Sequence, residues 1–349
     1  MERVGTERGS DTTPRIGSVI IGRNEGERLV SCLRSQSVSP VVYVDSGSSD
    51  NSVSNARNAG ATVVQLSTPP NFSAARARNA GMRVILEANP DLEFLQMTDG
   101  DCELRKNWIE SALAALQADP SLALVFGRRR ERHPDRSVYN ALCDDEWNLP
   151  IGEAAGCGGD ALFRVAALQS VGGYNETMIA GEDSELSMRL RKKGWRLERI
   201  DVEMTLHDVD IRHFSQFWTR IRRSGHAYAE MAHLHPDARW PDWPRACRSI
   251  IVWGAIMPLA LAVFVLLAIL HHPFWWVAAA IALLPWPVKI GQLFFRQLKR
   301  GLSTKVSAAG AALLMLGKIA QFHGLATFHY GRWRNRASPI IEYKGPRPA

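Results

Sequence analysis

Cysteine is sparse and unpatterned in this 349-residue chain: Cys32, Cys102, Cys143, Cys157 and Cys247 form no C-x-x-C pair and are odd in number. That excludes the usual zinc spacings and a disulfide framework, and fits a reducing, cytosolic compartment. The first 14 residues lack the apolar stretch that a secretory leader needs. Residues 1–14 therefore read as a disordered polar tail, and the domain behind them is expected to stay in the cytoplasm. Acid is in deficit, with a formal charge of +7. The bases are interleaved with acids and no nucleic-acid motif accompanies them, so the expectation is no nucleic acid. An anionic membrane surface or a phosphate ligand explains the excess.

A hydrophobic fraction of 46% supplies a real core, and the length suggests two units. From Ile16 onward, strand and helix patterns alternate, the signature of an α/β fold with a mostly parallel sheet covered by helices. Strands are expected over 18–21, 41–44, 62–66 and 94–97, with helices over 27–36 and 73–87; the turn-rich stretch 46–50 follows the second strand. Asn89-Pro90 stops the second helix.

Ligands of open α/β sheets bind beyond the carboxyl ends of the strands, so Asn24-Glu25, Asp45 and Asp99-Gly100-Asp101 are expected to meet in one crevice. Asp carboxylates suit hard divalent cations such as Mg or Mn, which bind through one or two carboxylates plus substrate phosphates. Asp45 reads equally as the opening of an Asx turn.

Four segments, Ser18-Val19-Ile20-Ile21-Gly22-Arg23-Asn24-Glu25, Val44-Asp45-Ser46-Gly47-Ser48-Ser49-Asp50, Ala77-Arg78-Asn79-Ala80-Gly81 and Asp99-Gly100-Asp101, resemble family 2 glycosyltransferases in order and spacing. Gly158-Gly159-Asp160-Ala161-Leu162-Phe163-Arg164, Val171-Gly172-Gly173-Tyr174 and the segment from Gly181-Glu182-Asp183 to Leu190 extend the resemblance over about 16–230. It implies a GT-A (Rossmann-like) fold over 15–238 and transfer of a sugar, of hexosyl type, from a nucleotide-sugar donor whose diphosphate is bridged by a divalent metal. By motif position, Asp45 holds the nucleobase, Asp99 the ribose or metal, and Asp101 the metal. Arg78 contacts the diphosphate region, and Asn24 and Glu25 line the nucleotide crevice.

The acceptor hydroxyl needs a base on the face of the sugar opposite the leaving diphosphate. The catalytic pair is read as Glu182 and Asp183, with Asp183 the base; carboxylates there would also suit a helix N-terminus. A single displacement inverts the anomeric carbon, so an inverting enzyme is expected. His207, after a strand over 199–206, is a candidate metal ligand or a structural residue. Arg222 and Arg223 lie in a basic helix over 214–232 that either closes over the diphosphate or is solvated. No Gln-x-x-Arg-Trp follows the acidic pair, which weakens a processive, polymer-making reading. The segment 128–150 reads as loop-like, and its Trp147 as either an acceptor platform or a core residue.

After Pro241 the composition shifts. Residues 249–270 carry no charge over a length that spans a bilayer core of about 30 Å. A second apolar run over 274–295 follows the turn His271-His272-Pro273, giving a hairpin within a membrane region over 239–330. Trp240, Trp243, Trp275 and Trp276 sit near its ends as interfacial aromatics do. Arg245 and Arg248 precede it, and Arg296, Lys299, Arg300 and Lys305 follow, which puts both flanks in the cytoplasm. A third stretch, 306–330, is interrupted by Lys318, Gln321, His323 and His329. It either spans or lies as an interfacial or re-entrant helix, and the basic tail over 331–349 favours the latter.

The expectation is a multi-pass inner-membrane glycosyltransferase, with its catalytic domain cytoplasmic and a lipid, lipid-linked saccharide or envelope polysaccharide as acceptor. The alternatives are a catalytically silent scaffold of an envelope-polysaccharide complex and an export component, for which the helices are too few and carry no clear ion relay.

Overall fold

The computed structural model describes residues 15–238 and 240–335. The expected disordered tail over 1–14, Arg239 and the end of the basic tail lie outside the described residues.

Nine strands form one sheet in the order β3-β2-β1-β4-β8-β6-β9-β5, with β7 beside β9. They are β1 (Ile16–Gly22), β2 (Val41–Asp45), β3 (Thr62–Gln65), β4 (Phe94–Asp99), β5 (Cys102–Leu104), β6 (Leu122–Glu131), β7 (Gly152–Glu153), β8 (Ala161–Arg164) and β9 (Arg196–His207). The parallel half is β3-β2-β1-β4. Beyond it, β8 runs antiparallel to both β4 and β6. The sheet is thus mixed, where the alternating pattern suggested a mostly parallel one.

Pleating decides which side chains form which core. On β1, Val19 and Ile21 enter the main core while Ile20 faces the opposite layer; on β2, Val42 and Val44 oppose Tyr43 in the same way. Helix α1 (Glu27–Arg34) covers the smaller layer with Leu29, Cys32 and Leu33 at helical spacing. Next come α2 (Ser52–Asn58) and α3 (Ala74–Ala88); α3 starts where Ser73 Oγ accepts the Arg76 N–H and lays Ala77, Ala80 and Ile85 on the main core. In α4 (Trp108–Ala118), fully buried Trp108 donates from its indole to Gln96 Oε1 at 2.8 Å. Burying such a side chain contributes about 1.5–3 kcal/mol.

The segment read as a loop over 128–150 is not one. Residues Arg128 to Glu131 are the end of β6, and α5 (Val138–Glu146) follows, capped by Ser137. Their charges are matched across elements: Arg128 pairs with Asp144, and Arg130 lies 3.8 Å from Glu203. Three further helices complete this part: α6 (Val165–Ser170), α7 (Glu182–Lys192) and α8 (Phe214–Leu234).

Three long helices then follow: α9 (Trp243–Leu270), α10 (Trp275–Lys299) and α11 (Thr304–Trp333). By length and composition each can cross a membrane. Helix α11 is continuous over its whole range. Much of it is covered by protein. A Cβ on Gly225 of α8 would collide with the Gln321 carbonyl of α11, and one on Gly324 with the Arg222 carbonyl. Small residues let the two backbones touch.

Candidate active site

The ends of β1, β2 and β4 deliver the acidic positions to one edge, because residues 22 and 45, and 21 and 99, are sheet partners. The Asp45 carboxylate is buried and closes its own turn, accepting N–H bonds from Gly47 at 3.0 Å and Ser48 at 2.9 Å and the Tyr43 hydroxyl at 3.1 Å. The Asx turn is therefore present. Asn24 adopts a left-handed φ of 55°, which its residue type tolerates. Its Oδ1 accepts the Ser49 N–H at 2.7 Å, tying the two turns together. Glu25 pairs with Arg28.

Arg78 is the hub. Only 2% exposed, it reaches up from α3 and bonds Asp99 at 2.8 Å and Glu182 at 2.9 Å, and lies 3.2 Å from Asp183. Its guanidinium also stacks over Tyr174 at 5.4 Å. Gly159 makes this approach possible, since a Cβ there would sit against the Arg78 guanidinium and 2.8 Å from Asp99 Oδ1. Arg78, read from the resemblance as a contact of the donor diphosphate region, binds the sheet-end and helix-start carboxylates to one another.

Glu182 and Asp183 do stand in the first turn of α7, where carboxylates suit the helix N-terminus, but neither caps it. Its N-cap is Gly181, with no side-chain cap bond, and Glu182 and Asp183 turn to Arg78. Burial pushes the Asp183 carboxyl up, Arg78 pulls it down, and Glu182 and Asp99 push it up again, leaving it at about 7. Its Oδ1 accepts no hydrogen bond from a described residue. A half-protonated, poorly solvated carboxylate is suited to proton transfer near neutral pH.

Asp101 and His207 form a second cluster. His207 Nε2 lies 3.3 Å from Asp101 Oδ2, and its Nδ1 lies 3.7 Å from buried Glu131. Asp101, Cys102 and His207 offer donor atoms within 4.8 Å of one another. The Asp101 carboxylate fits Mn or Mg and the imidazole adds a donor suited to Mn rather than Mg; the thiol fits neither, and burial with the Asp160 and Asp99 charges holds it well above its ordinary range as a neutral group. Trp147 packs edge-on against His207 at 4.8 Å and under Arg129 at 5.6 Å, so it braces the cluster.

Three functional candidates have no role legible in the sequence, Asp160 standing only inside a motif segment and Glu131 and Arg129 inside the stretch read as loop-like. Fully buried Asp160 accepts the Asp99 N–H at 2.9 Å and the Thr205 hydroxyl at 2.9 Å, and pairs with Arg129 at 2.7 Å. It fixes the backbone that presents Asp99. Glu131 backs His207. Arg129 also reaches Asp99 at 3.3 Å. Arg223 donates to the Ile179 carbonyl at 3.1 Å, beside the start of α7, whereas Arg222 backs onto Gly324 of α11.

Residues 19–170 match the family model described as glycosyl transferase family 2, and residues 149–294 match glycosyl transferase family group 2. The chain is 31% identical over 249 residues to the pre-mycofactocin glycosyltransferase of Mycobacterium tuberculosis, an alignment covering 66% of this chain and 48% of that protein. It is 30% identical over 118 residues, 31% of its own length and 36% of the relative's, to the succinoglycan biosynthesis protein ExoA of Rhizobium meliloti. The chain thus spans about half the length of the first relative. Among solved structures, the mannosyltransferase PcManGT of Pyrobaculum calidifontis, determined with GDP-Man and Mn2+, superposes with a TM-score of 0.55 at 18% identity over 88% of this chain and 87% of that one. That likeness bears on the fold and confirms the GT-A reading. With two family models matching along the chain and the acidic motifs meeting at one guanidinium, this protein belongs to glycosyl transferase family 2.

Proposed function

We propose that the chain is a membrane-anchored, metal-dependent, inverting glycosyltransferase that moves a sugar from a nucleotide-sugar to a lipid, lipid-linked saccharide or envelope polysaccharide. The observation that carries this reading is the joining of Asp99 and Asp183 through Arg78. One guanidinium holds the donor-side carboxylate and the candidate base at a common edge.

Asp101 and His207, with Asp99 beside them, are the residues suited to hold Mn or Mg. Such a cation, when bound, offsets the charge that grows on a departing diphosphate. Asp183 takes the acceptor hydroxyl proton as that oxygen attacks the anomeric carbon. Arg78 keeps the base ionisable in a buried site, and Glu182 shares its charge. Asp45 and Asn24 shape the turns lining the nucleotide crevice, and Arg223 supports the loop before α7.

Mn2+ and GDP-Man in the PcManGT structure support a metal and a nucleotide-sugar. The ExoA likeness supports a polysaccharide acceptor. The longer likeness to the pre-mycofactocin enzyme favours a second reading, in which the acceptor is pre-mycofactocin. Three membrane-length helices, with cations flanking the first two, support a cell-membrane location with the catalytic domain cytoplasmic.

The test is nucleoside diphosphate release by detergent-purified protein from UDP-, GDP- and dTDP-sugars, with Mn, Mg or EDTA. A lipid extract, a polysaccharide fragment and pre-mycofactocin serve as acceptors. Metal-dependent release with one donor, stimulated by one acceptor and lost in Asp183→Asn, is expected. No release from any combination overturns the reading in favour of a silent scaffold.

A further inference from the structure

A cavity of about 280 Å³ lies among α8, α9, α10 and α11, away from the acidic crevice. Lys289 and Arg296 of α10 and Lys318 of α11 line it. Lys289 and Arg296 are seven residues apart, two turns on one helix face, about 10 Å along the axis. Among the described residues no carboxylate lines the cavity, and none of the three cations has an ion-pair partner. Lys289 has only a 3.5 Å contact to Gln292. Three like charges converging without a counter-charge repel one another, and the repulsion is relieved by an anion. The remaining lining is mostly apolar, Trp253, Leu293 and Phe217 among it, with Ser249 and Gln321 as its uncharged polar members.

We propose that this cavity seats the phosphate of an anionic phospholipid headgroup, with the lipid's apolar portion against Trp253 and Leu293. A lipid, rather than free phosphate, matches a lining that is cationic and apolar at once, in helices whose outer faces expose Val288 and Phe295. The inference rests on the membrane placement proposed above but not on the transfer reaction. Because Phe217 and Ile221 of α8 line the cavity while Arg223 of the same helix holds the Ile179 carbonyl beside α7, the lipid also braces the helix that supports Glu182 and Asp183.

The test uses the full chain in nonionic detergent, titrated with short-chain phosphatidylglycerol, phosphatidylcholine or inorganic phosphate and followed by Trp fluorescence. Phosphatidylglycerol is expected to bind at least tenfold more tightly than phosphatidylcholine. A cation near an anionic lipid contributes about fivefold, so Lys318→Met should weaken phosphatidylglycerol about fivefold. Lys289→Gln/Arg296→Gln/Lys318→Met together should abolish the preference. Lys299→Gln and Lys305→Gln, outside the cavity, should leave it intact. If the triple variant does not fold, Lys318→Met alone decides. Equal binding of the two lipids, or a preference unchanged in Lys318→Met, overturns the proposal. Saturation by inorganic phosphate with the same affinity identifies a free-phosphate site and overturns the lipid assignment. Recovery of the chain away from membranes would overturn the membrane reading itself, a separate result from loss of lipid preference in a membrane-bound protein.

Discussion

Arg78 donates from Nη2 to Asp99 Oδ1 at 2.8 Å across 21 residues of chain. The same guanidinium bonds Glu182 at 2.9 Å. Removing it would leave buried carboxylates facing one another without a counter-charge. Breaking a buried pair from one side costs about 3–5 kcal/mol. Arg78→Met is therefore expected to lower stability by that amount, read by thermal or denaturant unfolding of the purified chain. Arg78→Lys should recover only part of it, since a compact ammonium does not reproduce the wide planar spread of guanidinium donors that reaches Asp99 and Glu182 from opposite nitrogens. A fully stable Arg78→Met protein would refute the hub role.

Much of this was legible beforehand, and what was missed has a common cause. β1, β2 and β4 are apolar runs ended by polar turns, so length and composition located them. Helix α2 went unread because only Ser52 and Ala56 of it are buried, leaving no apolar stripe. The end of β6 read as a loop because Arg128, Arg129 and Arg130 stand in a row. Their partners Asp144, Asp160 and Glu203 lie in other elements, and a local pattern cannot see such pairing. Asp160 stands in a motif segment, but its role is hidden for the same reason: its bonds are to Asp99, Thr205 and Arg129.

The Asp183 carboxyl, raised from an ordinary 3.8 to about 7, carries a pH dependence. Its basic form appears as pH rises, so kcat/KM should climb through about pH 7 in the native chain. The sign for stability is opposite. A carboxyl whose folded value is raised stabilises the fold below its unfolded value, and that contribution is lost as pH rises through about 7. General-base removal costs about 10²–10⁴-fold, so Asp183→Asn should lose that much rate and lose the rising limb with it. A native pH profile flat from 6 to 8, on a pH scale chosen around that value, would count against the base assignment.

Asp101 and His207, 3.3 Å apart, are expected to govern the response to metal. Asp101→Asn should reduce donor cleavage about 10²-fold or more, since a cation supplies several kcal/mol at the leaving group. Glu131→Gln, behind His207, should cost about 10–100-fold in apparent Mn affinity while leaving the rate at saturating Mn nearly unchanged. Titrating Mn against rate separates the two effects; equal Mn affinity in Glu131→Gln would show that Glu131 only packs.

The contact of α8 with α11 through Gly225 and Gly324 is too close for any side chain. Overpacking costs about 1–3 kcal/mol, so Gly225→Ala and Gly324→Ala should each lower the melting temperature of the detergent-purified chain. They should also speed proteolysis between α10 and α11, whereas Gly291→Ala, where no neighbour stands within 4 Å, should not loosen that contact.

Orientation is the remaining physical consequence of the charge pattern. Arg245 and Arg248 lie in the first turns of α9, and Arg296, Lys299 and Arg300 close α10, while the intervening turn His271-His272-Pro273 carries no Lys or Arg. Positive flanks stay on the cytoplasmic side, so the turn should face the opposite side of the membrane. In intact cells, a membrane-impermeant thiol reagent should label His272→Cys and spare Lys299→Cys, and permeabilisation should expose the second. The reverse pattern would put the acidic crevice outside, away from cytoplasmic nucleotide-sugars, and would remove the donor class from the proposed function. Labelling of both sites before permeabilisation would instead mean that α9 and α10 do not cross the bilayer as a hairpin.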